Sequence, residues 1–106
     1  MRRRFSAATV NRLRDLQIEI ALVAIATMVK ADRTFIPTKD ARTRRWNVCT
    51  ERGDYEILTT GRKWYDTRAQ IGGGGAIDLT MHLLGLSFVD AVKRLNQVGS
   101  DGCHRS

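Results

Sequence analysis

A chain of 106 residues with 42% hydrophobic content holds one modest core, so it reads as a single folded domain rather than as two domains or a wholly disordered tail segment. Its 18 Lys and Arg residues against 11 Asp and Glu leave a net charge of +7, which favours an anionic partner such as nucleic acid over an acidic small substrate. Cys49 and Cys103 are its 2 cysteines, so a disulfide framework is excluded and a reducing cytoplasm is expected.

The opening Met1, Arg2, Arg3, Arg4 and Phe5 have the charge of a secretory leader. The apolar run Ile18 to Val29 is interrupted by Glu19 and Thr27, and no small-residue cleavage site follows it closely. It also falls short of the roughly 20 apolar residues that a membrane span requires, so it reads as a core helix. Ser6 is placed to cap a first helix, and Val10, Leu13, Leu16, Ile20, Val23 and Thr27 fall on nearly one face. One long helix satisfies this pattern, and so do two with a break near Asp15. Residues 31–39 read as an exit loop with a short extended piece, because Pro37 forbids helix and biases Ile36 toward extended geometry.

Between Arg45 and Asp66 the period changes to alternation, through Trp46, Val48, Tyr55, Ile57 and Trp64. Turn signals at Glu51 to Asp54 and Thr59 to Arg62 divide the stretch into three short strands of an antiparallel meander. Trp46 and Trp64 are expected in the core, and Tyr65 on the opposite side of its strand. Gly72 to Gly75 read as a tight strand-to-helix connection. Ile77, Met81 and Leu84 then give a helix stopped by Gly85, and Ser87 caps a last helix with Asp90 at the capping-box position and Phe88, Ala91, Val92 and Leu95 as its apolar stripe. Apolar periodicity ends at Gln97, so residues 1–97 are expected to be a single domain and 98–106 a flexible tail.

The segments GRKWYD, GGGGAIDL and GLSFVDAVKRL, from Gly61 to Leu95, resemble the second half of the zinc-binding (CHC2-like) domain of bacterial and phage DNA primases. The resemblance implies an α+β fold: a small antiparallel sheet of three to four strands, zinc-ribbon-like, with an N-terminal helix and a C-terminal helix pair. In that family the metal ligands come from a loop before the central strands and from a pair just before the glycine turn. Those places here hold Thr38 to Arg45 and Tyr65 to Ile71, with no Cys or His, so a degenerate, metal-free form is expected.

The glycines do not form a phosphate loop, since no Gly-Lys-Ser/Thr follows, and the dinucleotide fingerprint fails for want of a βαβ unit. Asp78, near the start of the next helix, would repel a phosphate there. His82 has no Ser, Cys or paired carboxylate near it in sequence, and Asp66, Asp78 and Asp90 do not group at acid-base or metal spacing. No catalytic residue, no metal and no cofactor are therefore expected, and the protein reads as a non-enzyme.

Basic residues do group: Arg2, Arg3, Arg4, Arg12 and Arg14; then Lys39, Arg42, Arg44 and Arg45 around Asp40; then Arg62, Lys63 and Arg68 around Trp64 and Tyr65. Arg42, Arg44, Arg45, Arg62, Lys63 and Arg68 are the candidates for phosphates, and Tyr65 for stacking a base. Primases use this domain to engage template DNA beside a separate polymerising domain, for which this chain has no room. The resemblance thus implies an accessory to replication or priming on a plasmid, phage or other mobile element. Its expected partners are single-stranded rather than double-stranded DNA, together with a primase-polymerase or helicase, and not a membrane. The alternative is a protein-interaction module that binds or inhibits a larger replication or defence protein, its positive charge meeting an acidic surface.

Overall fold

A computed structural model describes the backbone of residues 6–104 and the side chains of residues 6–96. The N-terminal arginines Arg2, Arg3 and Arg4 and the side chain of Cys103 thus lie outside the described residues. The elements in chain order are α1 (Ala7–Arg14), α2 (Ile18–Ile25), β1 (Met28–Ala31), β2 (Arg44–Thr50), β3 (Gly53–Thr60), β4 (Lys63–Asp66), β5 (Ile71–Gly74), α3 (Ala76–Leu84) and α4 (Phe88–His104). The fold is α+β, and its sheet has five antiparallel strands in the order β1-β2-β3-β4-β5.

Ser6 caps α1 through its hydroxyl, which accepts from the Thr9 amide at 3.1 Å. The break falls at Asp15, the C-cap of α1, and a second helix follows. That helix stops at Ile25 rather than running on to Val29. Ala26 turns extended, and the Thr27 amide and hydroxyl both donate to the Cys49 carbonyl, at 2.8 and 2.9 Å, which places Met28–Ala31 against β2 as an edge strand.

The second strand beyond the expected three to four comes from the glycines. Residues Ile71–Gly74 pair with β4, because glycine's weak strand preference is overridden by the shape of its neighbour. A Cβ on Gly73 would lie 2.8 Å from Cζ2 of Trp64, and one on Gly72 would lie 3.0 Å from Cδ1 of Tyr65, so the strand can sit beside these two aromatics only as bare backbone. Gly75 adopts φ +90 to turn the chain into α3, and Gly85 ends that helix in the left-handed conformation with its amide donating to Met81 O. Ser87 caps α4 by accepting from the Asp90 amide at 3.1 Å. The α4 backbone stays helical to His104, past the end of its apolar stripe at Gln97.

One core lies between the helices and one face of the sheet. Leu13, Ile18, Leu22, Leu79, Leu83 and Val92 meet Val48, Ile57 and Trp64 there, all buried. Trp64 is 4% exposed; Trp46 is half-buried at the margin and donates from Nε1 to Thr59 Oγ1 at 2.9 Å. The register pairs Lys63 with Thr60, Tyr65 with Leu58 and Leu58 with Arg45, so these residues share the sheet's other face, opposite the face that the described helices cover.

Candidate nucleic-acid interface

The uncovered face is built on β3, β4 and β5 and walled by the segment joining β1 to β2. Two carboxylates shape that wall. Asp32 Oδ1 accepts from the amide and hydroxyl of Thr34, and Asp40 Oδ1 accepts from the Arg42 amide. These bonds, first to Thr34 for Asp32 and to the Arg42 side chain for Asp40, hold both carboxyls down at about 2, so both stay ionised at neutral pH. Thr43 then ties the wall to the sheet through a 2.8 Å hydroxyl contact with Thr60.

Between wall and sheet lies a hollow of about 680 Å³, lined by Phe35, Leu58 and Tyr65 with Lys39 and Lys63, and with Asp40, paired to Arg42, as its acidic member. A second hollow of about 480 Å³ follows the glycine corner and is lined by Arg14, Arg62, Lys63, Gly74 and Phe88, with Asp78 as its acidic member. A third, of about 430 Å³, lies over the β3–β4 turn and includes Arg42, Arg62 and Lys63. Lys63 lines all three, so they adjoin as one basic lane around the end of the sheet. Among the described residues, Arg14, Lys39 and Lys63 form no ion pair.

The seven residues nominated from sequence do not form one site. Arg42, Arg62, Lys63 and Tyr65 come together at the lane. Arg42 pairs with Asp40 at 2.9 Å, and Arg62 lies 3.9 Å from Asp15, both at exposed positions where such pairs are weak. Arg44 sits on the other face, 4.0 Å from Glu19. Arg45 is on the open face, but its charge is taken up by Asp32 at 2.7 Å and Glu56 at 3.9 Å while its guanidinium covers the Phe35 ring at 5.1 Å; it builds the wall. Arg68 lies beyond the far end of β4, about 10 Å of strand away from Lys63, with Nη1 donating to the Asp54 carbonyl at 3.4 Å. Arg14 and Lys39 belong to the basic groups but are not among the phosphate candidates, and Phe35 is not singled out, because helix packing and loop geometry, not local pattern, deliver them to the lane.

His82 does have a partner, one invisible in sequence. Its Nε2 lies 2.8 Å from Oδ2 of Asp66, and its ring stacks on Trp64 at 5.1 Å between centroids. The other oxygen of Asp66 accepts from the amides of Arg68 and Ala69, so one buried carboxylate fastens the β4–β5 turn to α3. Burial raises the Asp66 carboxyl, but the His82 bond and the two amides outweigh it and hold the group below its usual range. Among the described residues no Ser or Thr hydroxyl and no Cys thiol bonds to this pair, which fastens the turn to the helix. The Cys49 thiol is raised, first by its bond to Asp54, which makes it a poor nucleophile. Among the described residues no group of three or more His, Cys, Asp or Glu converges on a metal position, and no helix is long and apolar enough to cross a membrane.

No family model, curated protein or solved structure matches the chain.

Proposed function

We propose that this protein binds single-stranded nucleic acid, single-stranded DNA first, without catalysing a reaction on it. The observation that carries this reading is the basic lane centred on Lys63, where Arg14, Lys39, Arg42 and Arg62 gather beside the exposed ring of Tyr65. Phosphates of a flexible strand follow such a lane, and an exposed ring accepts a base that a duplex would keep stacked. The resemblance of GRKWYD, GGGGAIDL and GLSFVDAVKRL to the primase zinc-binding domain supports the same reading. On this reading the protein works in the cytoplasm, beside a primase-polymerase or helicase, as a zinc-less accessory to priming on a plasmid, phage or other mobile element.

A fluorescence-anisotropy titration with single- and double-stranded oligonucleotides over a salt series tests it. Three phosphate contacts give a log-log salt slope of about −2 on a single strand. Absence of binding to any oligonucleotide at low salt would overturn the reading.

One observation favours a protein partner instead. Leu16, Ile20, Val23, Trp46 and Leu95 line an apolar groove of about 750 Å³, and Ile20 and Val23 are 57% and 69% exposed. If this groove holds a larger replication or defence protein, Ile20→Ser with Val23→Ser abolishes co-purification with that protein and leaves oligonucleotide affinity unchanged.

A further inference from the structure

We infer that the hollow between Tyr65 and the Phe35 wall is a slot for one unstacked nucleobase, which enters over the bare backbone of β5. This rests on the single-strand reading above and assigns where a base goes.

The slot has apolar sides in Phe35, Leu58 and Tyr65 and two lysines, Lys39 and Lys63, as ammonium groups for the flanking phosphates. Its volume of about 680 Å³ exceeds what a base fills, and its wall is held in place by the Asp32 and Asp40 bonds and the Thr43 contact with Thr60. Tyr65 is 40% exposed and lines the slot, with its Cδ1 beside Gly72.

The glycines supply the independent observation. Glycine inside a strand weakens it, so each should be required by something. Gly72 is required by the Tyr65 ring, Gly73 by the Trp64 ring and Gly75 by its positive φ. Gly74 is required by nothing in the chain: its φ lies outside the left-handed region, and a Cβ there would meet only the Arg62 carbonyl oxygen, 4.0 Å away. Its register partner is Lys63, which lines the slot, so a side chain at this position would stand beside Lys63 where the slot adjoins the glycine-corner hollow that Gly74 lines. The close approach of a flat ligand is the requirement that the fold itself does not provide.

The test compares a labelled single-stranded DNA dodecamer with an abasic dodecamer of equal charge, by anisotropy, against wild type, Tyr65→Ala and Gly74→Val. Wild type is expected to bind the base-bearing strand about tenfold more tightly. Both variants should lose that preference while keeping wild-type affinity for the abasic strand and the wild-type salt slope, and both should remain fully folded at the titration temperature. Equal binding of the two strands by wild type, or a preference untouched by both substitutions, overturns the slot and leaves the single-strand reading standing. A free deoxynucleoside monophosphate bound as tightly as the dodecamer also overturns it, since the slot would then serve free nucleotides. Failure to bind either strand at low salt overturns the slot and the single-strand reading together.

Discussion

The strand β4, Lys63 to Asp66, presents two different chemistries on its two sides. Inward, Trp64 packs into the core with its indole N–H unpartnered, and Asp66 fastens a turn to a helix. Outward, Lys63 and Tyr65 meet the slot and the lane. Alternation along four residues thus separates what holds the fold from what faces solvent, and neighbours in sequence should respond to substitution in opposite ways. The sharpest contrast is between Trp64 and Tyr65. Trp64→Ala removes a ring that packs on His82 and is expected to cost about 3–5 kcal/mol in denaturant unfolding. Tyr65→Ala is expected to stay within about 1 kcal/mol of wild type while weakening single-strand binding. Comparable losses at both positions would mean that the outward face is also part of the core.

Asp66 gives the inward side a pH signature. Its folded-state carboxyl is held below that of the unfolded chain, about 3.9. A depressed carboxyl contributes fully above the unfolded value and loses that contribution as pH falls through the folded one. Thermal melts from pH 7 to pH 2 should therefore show stability dropping below about pH 4. Asp66→Asn should start less stable at pH 7 and drop less steeply. Its remaining slope would come from Asp32 and Asp40, whose carboxyls are also held low, at about 2. An identical slope in Asp66→Asn would show that the His82 pair contributes nothing to acid unfolding.

The same alternation separates two cations that look alike in sequence. Lys63→Ala is expected to reduce the single-strand salt slope by about 0.7, the share of one phosphate. Arg44→Ala, on the helix-covered face beside Glu19, should leave slope and affinity unchanged. A slope change at Arg44 would move the lane to the other face.

Much of this layout was legible in the residues. The period-2 pattern located β2, β3 and β4 and turned Tyr65 away from Trp64; applied to Arg44 and Arg45, it would also have put them on opposite faces. The caps at Ser6, Gly85 and Ser87 were equally plain, because each is a local bond between residues close in sequence. What was not legible is nonlocal. β1 hides in an apolar run and is held by Thr27 reaching Cys49, 22 residues on. β5 is glycine and has no strand propensity to read; its pairing depends on the rings of its neighbour. Asp66 and His82 are 16 residues apart, and Arg14 and Lys39 reach the lane from separate elements. Sequence marks basic residues, but only packing distinguishes an arginine held by Asp32 from a lysine left to a ligand.

At the glycines of β5 the contrast between the two sides narrows to adjacent positions. Gly73→Ala drives a methyl group toward the Asp78 carboxylate and to 2.8 Å from Cζ2 of Trp64; the carboxylate can swing away, but the packed ring cannot, so a loss of about 1–3 kcal/mol is expected. Gly74→Ala meets nothing closer than 4.0 Å and removes backbone freedom from the unfolded chain, so a gain of about 0.5–1 kcal/mol is expected. Parallel urea titrations of the two variants measure the difference. A gain at position 74 would mean that the chain carries a less stable residue than its own fold allows, at the one glycine of β5 that faces the ligand side without an internal neighbour. A loss there would instead make Gly74 a structural residue like Gly73 and remove the glycine argument for the slot.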